Sequence, residues 1–174
     1  MIHQHELKAN DVHAYTLEML KEHLKIKVDG YICKTDMILN VLIKASAENS
    51  SLEAACGDLE ETADSNTIRE YLNEALPIKE LREQEKQVNK VLACGTPADL
   101  VRTDIEVALD FHDEPFYGKQ AGTRQVTCAG QAKKGTTHFV RIATAYIIWR
   151  QVRRTLAVRY VLPEDETLEI LKFL

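Results

Sequence analysis

Near residue 96 the spacing of apolar residues changes period, and few folds accommodate that change. Up to that point apolar residues recur every three or four positions, the repeat of a helix with one buried face. From Thr103 they alternate with polar residues, the repeat of a strand. Helices first and strands afterwards describe an α+β chain, because a doubly wound α/β chain would interleave the two patterns. With 174 residues, 45% hydrophobic and 28% charged, the chain can form one ordinary domain or two small ones. The expected division is 1–96 and 97–174.

The first half predicts a series of helices. Asn10 or Asp11 can cap the first, with Val12, Tyr15, Met19, Leu20 and Leu24 along one stripe. Asp29-Gly30 marks a turn. Thr35 can cap a second helix over Asp36 to about Glu48, and its nearly continuous apolar run makes it the expected centre of the unit. Ser50, three residues before Glu53, has capping-box spacing for a short helix from Ser51 to about Leu59. After a polar turn, Thr67 and Glu70 can cap a fourth helix that Pro77 stops. Residues 78–93 read as a charged helix with Ile78, Leu81, Val88, Val91 and Leu92 inward, ended by Gly95 as a left-handed cap. Helix, short helix, polar turn and helix within about forty residues is a helix-turn-helix layout. In that layout Ser65, Asn66, Thr67 and Arg69 are the early recognition-helix residues. Asn and Arg suit adenine and guanine edges. A plain helical bundle with these residues on its wet side fits the same pattern, since Glu60, Glu61, Asp64, Glu70 and Glu74 repel phosphate.

In the second half, Ile105, Val107 and Leu109 alternate with Glu106, Ala108 and Asp110. Gly118 to Gly135 holds four glycines and reads as a basic loop or loose hairpin. Thr137–Trp149 and Arg153–Leu162 are β-branched, aromatic runs joined by Arg150-Gln151-Val152, an antiparallel hairpin. Acidic residues after Pro163 suit the start of a final helix.

Charge is segregated along the chain. Residues 1–115 hold 12 Lys/Arg against 23 Asp/Glu, whereas residues 116–162 hold 9 Lys/Arg and no carboxylate. A basic block of that kind suits a polyanion partner, so Lys119, Arg124, Lys133, Lys134, Arg141, Arg150, Arg153 and Arg154 are candidate DNA contacts. A solvated sheet face is the competing explanation. Trp149 and Tyr146, lying among these cations, can stack on bases or pack in the core, as the apolar run AYIIW suggests. The four cysteines are too widely spaced for a zinc motif or a compact disulfide framework. The His3/His5 pair near the terminus has no further ligand cluster around it. No apolar run reaches about 18 residues and the N-terminus lacks signal-peptide order, so no membrane partner and a cytoplasmic location are expected.

Asp110, His112, Asp113 and Glu114 stand together before the Phe116-Tyr117-Gly118 turn. Strands disfavour Asp, which singles out Asp110. Asp113 is second in line, although Asp113 and Glu114 also suit a turn before Pro115. His112-Asp113 matches the signature of HD-type phosphohydrolases, but that family is all-helical and the context here is a strand.

Three blocks in order resemble DDE-type insertion-sequence transposases of the kind common in archaeal genomes: VALDFHDEPFYGK, KKGTTHFVRIATAYI and RRTLAVRYVLP. The upstream stretch SLEAACGDLEETADSNTIREYL resembles their helix-turn-helix region. Together these cover roughly residues 36–174. The resemblance implies an N-terminal helix-turn-helix-like region followed by an incomplete ribonuclease-H-like domain of three antiparallel strands and a helix. It implies metal-dependent cleavage and joining of double-stranded DNA at transposon ends, with Asp110 as the first of three metal-binding acids. Two Mg²⁺ (or Mn²⁺) ions about 4 Å apart need several carboxylates, and no acid after Asp110 stands in a matching context. The expectation is therefore a truncated transposase that keeps DNA binding and loses catalysis. The alternative is a non-catalytic DNA-binding or dimerising regulator, with a homodimer as its assembly.

Overall fold

The computed structural model describes residues 8–97, 100, 105–118 and 125–174. Among these are six α-helices and four strands in one antiparallel sheet, the α+β class read from the sequence. The helices are α1 (Ala9–His23), α2 (Thr35–Ala47), α3 (Leu52–Asp58), α4 (Ser65–Ala75), α5 (Leu81–Cys94) and α6 (Thr167–Phe173). The strands are β1 (Ala108–Pro115), β2 (Cys128–Lys133), β3 (Thr136–Trp149) and β4 (Val152–Val161). The chain divides into two compact units, Met1–Pro77 and Ile78–Leu174. That division precedes the expected boundary at 96, because α5 packs on β4 and belongs with the sheet.

The first unit is built around α2, whose Ile38, Leu39 and Val41 are fully buried with Ile26, Cys33, Ala55 and Ile68. The order α2, short α3, polar turn, α4 follows the sequence reading, with different caps. Ser51, not Ser50, caps α3 by accepting from Ala54 N at 3.2 Å. Asp64, not Thr67, caps α4, taking the amides of Asn66 and Thr67 at 2.9 and 3.2 Å. In both cases the residue directly before the first helical position reaches the free amides best. Helix α1 begins at Ala9, ahead of both expected caps. There Asp11 accepts from Lys8 N at 3.1 Å, from inside the first turn. Gly30 lies so close to Tyr71 that a Cβ would collide with its hydroxyl.

In the second unit β3 is the central strand. β1 runs antiparallel along one side, while β2 and β4 share the other side end to end. β2 lies within the stretch expected to be a loop or loose hairpin, and it pairs with β3 as a hairpin. Lys134 and Gly135 both have positive φ, 51° and 82°, which is the two-residue turn whose twist brings adjacent strands together. The β3–β4 turn is built alike from Arg150 (φ 50°) and Gln151 (φ 64°), leaving Val152 in the strand. Gly95 ends α5 with φ −79°, so it is not the left-handed cap expected. Ile78 is exposed, and the buried side chains of α5 are Glu85 and Gln87 instead of its apolar stripe.

Candidate nucleic-acid interface

The β1–β3 register sets which residues share a face. Asp110 is opposite Thr144, His112 opposite Ile142, and Ala108 opposite Tyr146. On the reverse face Phe111 pairs with Ala143 and Asp113 with Arg141. The reverse face is the one α6 covers, through the cluster Cys128, Ala143, Val161 and Ile170. Asp110 therefore stands third among the eight residues of β1, on the face away from that cluster, with its side chain 56% exposed. Every β1 residue except Asp113 and Pro115 is exposed. The alternation Val107, Leu109 thus does not mark a buried face: the strand lies at the border of the sheet.

Asp110 has a cation beside it. Arg153 Nη2 lies 3.8 Å from its carboxylate, and the same guanidinium stacks on the Tyr146 ring at 3.7 Å. Asp113, second in line by sequence, is committed elsewhere. Arg141 grips it through two bonds of 2.7 and 3.0 Å, and that hydrogen bonding holds its carboxyl below the ordinary value. His112 bonds Glu114 at 2.6 Å. The sequence cluster of three acids and His112 is thus split between two faces, because successive strand residues point oppositely.

Among the described residues no three His, Cys, Asp or Glu side chains converge to hold a metal ion. Mg²⁺ requires about six oxygens in near-ideal octahedral geometry. A single carboxylate neighboured by a guanidinium does not fit that demand, so the described residues around Asp110 do not make a metal centre on their own.

The candidate DNA contacts fall into three settings. Lys133 and Lys134 are exposed at the β2–β3 turn. Arg150 and Arg153 are exposed near the β3–β4 turn, Arg150 over the Trp149 ring at 5.6 Å and Arg153 opposite the exposed Ile148, whereas Arg154, opposite the buried Ile147, is half-buried on the other face. The two turns cap opposite ends of β3, a strand of 14 residues. Arg141, by contrast, is spent on Asp113. In the first unit, Ser65, Asn66, Thr67 and Arg69 form the opening turn of α4. Arg69 folds onto Glu53 at 2.5 Å and reaches Ser65 Oγ and Asn66 Oδ1 at 3.5 Å. Lys119 and Arg124 lie outside the described residues. No protein-family model, curated protein or solved structure matches the chain.

Sequence reasoning missed a buried ionic cluster along β4. Arg82, Glu85 and Asn89 lie on one face of α5, at helical spacing. Asn89 donates to Val158 O at 2.9 Å and accepts from Val158 N at 2.8 Å. Glu85, 1% exposed, accepts from Tyr160 N at 2.8 Å, and Arg82 donates to Tyr160 O at 2.6 Å. Asp165 bonds Arg82 at 2.5 Å and takes the amide of Leu162 at 2.9 Å, while Arg159 approaches both Glu85 and Asp165. Side chains of α5 thereby do for β4 what a neighbouring strand would do. One signal was available: Arg82, Glu85 and Asn89 follow a polar stripe that reads equally well as a wet helix face.

Proposed function

We propose that the chain is a DNA-binding protein of the DDE-transposase type, in which Asp110 is the first of a metal-binding set that the described residues do not complete. The observation carrying this reading is the position of Asp110. It stands third in β1 with its side chain exposed, in a β1–β3–β4 antiparallel succession followed by a helix, the arrangement expected for the opening of a ribonuclease-H-like sheet. The arginine-rich β3–β4 turn supports a phosphate-contacting role: two exposed guanidiniums each lie over an aromatic ring, Arg150 on Trp149 and Arg153 on Tyr146, next to exposed apolar groups, a surface suited to backbone contact plus stacking.

A second reading, a non-catalytic DNA-binding or dimerising regulator, is favoured by one specific feature. Arg153 lies 3.8 Å from the carboxylate that chemistry would need free. A nicking assay on supercoiled DNA with Mg²⁺ or Mn²⁺ tests the role given to Asp110. Nicking that Asp110→Ala abolishes supports the first reading, and nicking unchanged by that substitution removes the assignment. Binding without nicking fits the second reading and equally a first whose acid set stays incomplete. DNA affinity should fall steeply with salt, and the Arg150→Ala/Arg153→Ala double variant should reduce the slope by about 1 to 2, roughly 0.9 for each phosphate no longer neutralised. A flat salt response refutes both.

A further inference from the structure

The two sides of the sheet treat their outer backbone groups differently. On one side the outer groups of β4 are satisfied by Asn89, Glu85 and Arg82. Beside it, β2 is short and shifted in register. On the other side β1 has no outer partner among the described residues of this unit. In an antiparallel ladder, inward and outward backbone groups alternate. Phe116 N donates to His138 O, so Glu114, His112 and Asp110, in step with it, turn theirs towards β3. The N–H and C=O groups of Leu109, Phe111 and Asp113 face outward, and Pro115, with no N–H, ends the row. Leu109 and Phe111 are 44% and 46% exposed. An open edge bearing apolar side chains is a template for a further strand.

We propose that this edge binds a second copy of the chain, β1 against β1, antiparallel about a two-fold axis at Phe111. Charge favours that register over the two adjacent ones. An axis at Asp110 sets Asp110 against itself, and an axis at His112 sets Asp110 against Glu114. With the axis at Phe111, Asp110 of each copy faces His112 of the other, Phe111 packs against Phe111, and Leu109 pairs with Asp113. Asp113 enters that pairing already neutralised by Arg141. The outward backbone groups of all three residues find partners. The dimer also brings the two Asp110 side chains onto one continuous face, as diagonal neighbours about 7–8 Å apart. The pairing does not rest on the transposase reading, and its test uses mass, not activity.

Sedimentation equilibrium of the full chain, from micromolar to millimolar concentration, should show a reversible monomer–dimer equilibrium. His112→Asp sets acid against acid and Asp110→His sets imidazole against imidazole. Each should weaken dimerisation about tenfold, because the affected pair recurs twice by symmetry. The double swap Asp110→His/His112→Asp recreates the opposition and should return to within about threefold of the original. A chain that stays monomeric overturns the proposal, as does a dimer indifferent to the single changes or unrescued by the swap. Amide exchange on the unaltered protein is independent of any variant's folding. Protection of Leu109, Phe111 and Asp113 should rise with concentration, and constant protection overturns the pairing.

Discussion

At the residue scale, two aspartates with the same chemistry are set apart by their neighbours. Asp110 is exposed beside Arg153, whereas Asp165 is 8% exposed within the ionic cluster. Burial pushes the Asp165 carboxyl up, but the Leu162 amide, Arg82 and Arg159 outweigh it, and the net displacement is downward. Asp113 is displaced the same way by Arg141. A carboxyl depressed in the folded state contributes stability that is complete above its unfolded value of about 3.9. That contribution is lost as pH falls through the folded value, since the unfolded chain takes up the proton first. The sheet unit should therefore lose stability steadily below about pH 4. Asp165→Asn should be less stable at neutral pH and show a flatter acid decline. Trp149, the single tryptophan, lies in this unit and reports its melting by fluorescence. An unchanged acid slope in the variant would remove Asp165 from the cause.

At the element scale, α5 holds β4 through polar side chains as much as through apolar burial. Asn89→Ala leaves both backbone groups of Val158 without their partner. Each orphaned group costs about 1–3 kcal/mol, so a loss of roughly 2 kcal/mol or more is expected in urea denaturation followed at Trp149. A loss below about 0.5 kcal/mol would mean that water replaces Asn89 freely. The helix itself was legible from its spacing and its stop at Gly95. Its partner was not, because a strand edge can be satisfied by residues that look solvent-facing in sequence. The same limit explains β1. Alternation of Val107, Leu109 and Phe111 signals a strand, yet border strands and buried ones share that period. The hairpin β3–β4 was legible from its β-branched runs, whereas β2 was legible only as part of a loop or loose hairpin, because Ala129, Gly130 and Gln131 carry little strand signal and the pairing is irregular between Ala129 and Lys133. For Asp110, its place in a strand was readable. The guanidinium beside it, 43 positions on in sequence, depended on the β3–β4 register.

At the scale of the whole molecule, the division at Pro77 makes a direct prediction about fragments. Residues 78–174 contain the sheet and the helix that satisfies β4, and should unfold cooperatively alone. Residues 97–174, the boundary suggested by the change of period, lack Arg82, Glu85 and Asn89. That fragment should lose its cooperative fluorescence transition at Trp149. If both fragments melt alike, α5 is dispensable to the sheet. Charge segregation belongs to this scale too, since the basic stretch forms the long hairpins and their turns while most acidic residues precede it.

The side-chain seal along β4 also decides how large an assembly can grow. A sheet open at both margins can add neighbours without end, the route to fibrils. Here one margin is occupied by helix α5 and the short, lysine-ended β2, so pairing through β1 consumes the long margin left among the described strands. With β1 paired as proposed, growth would halt at two copies, and Asn89, Glu85 and Arg82, which satisfy β4 from α5, would act as a terminator of polymerisation.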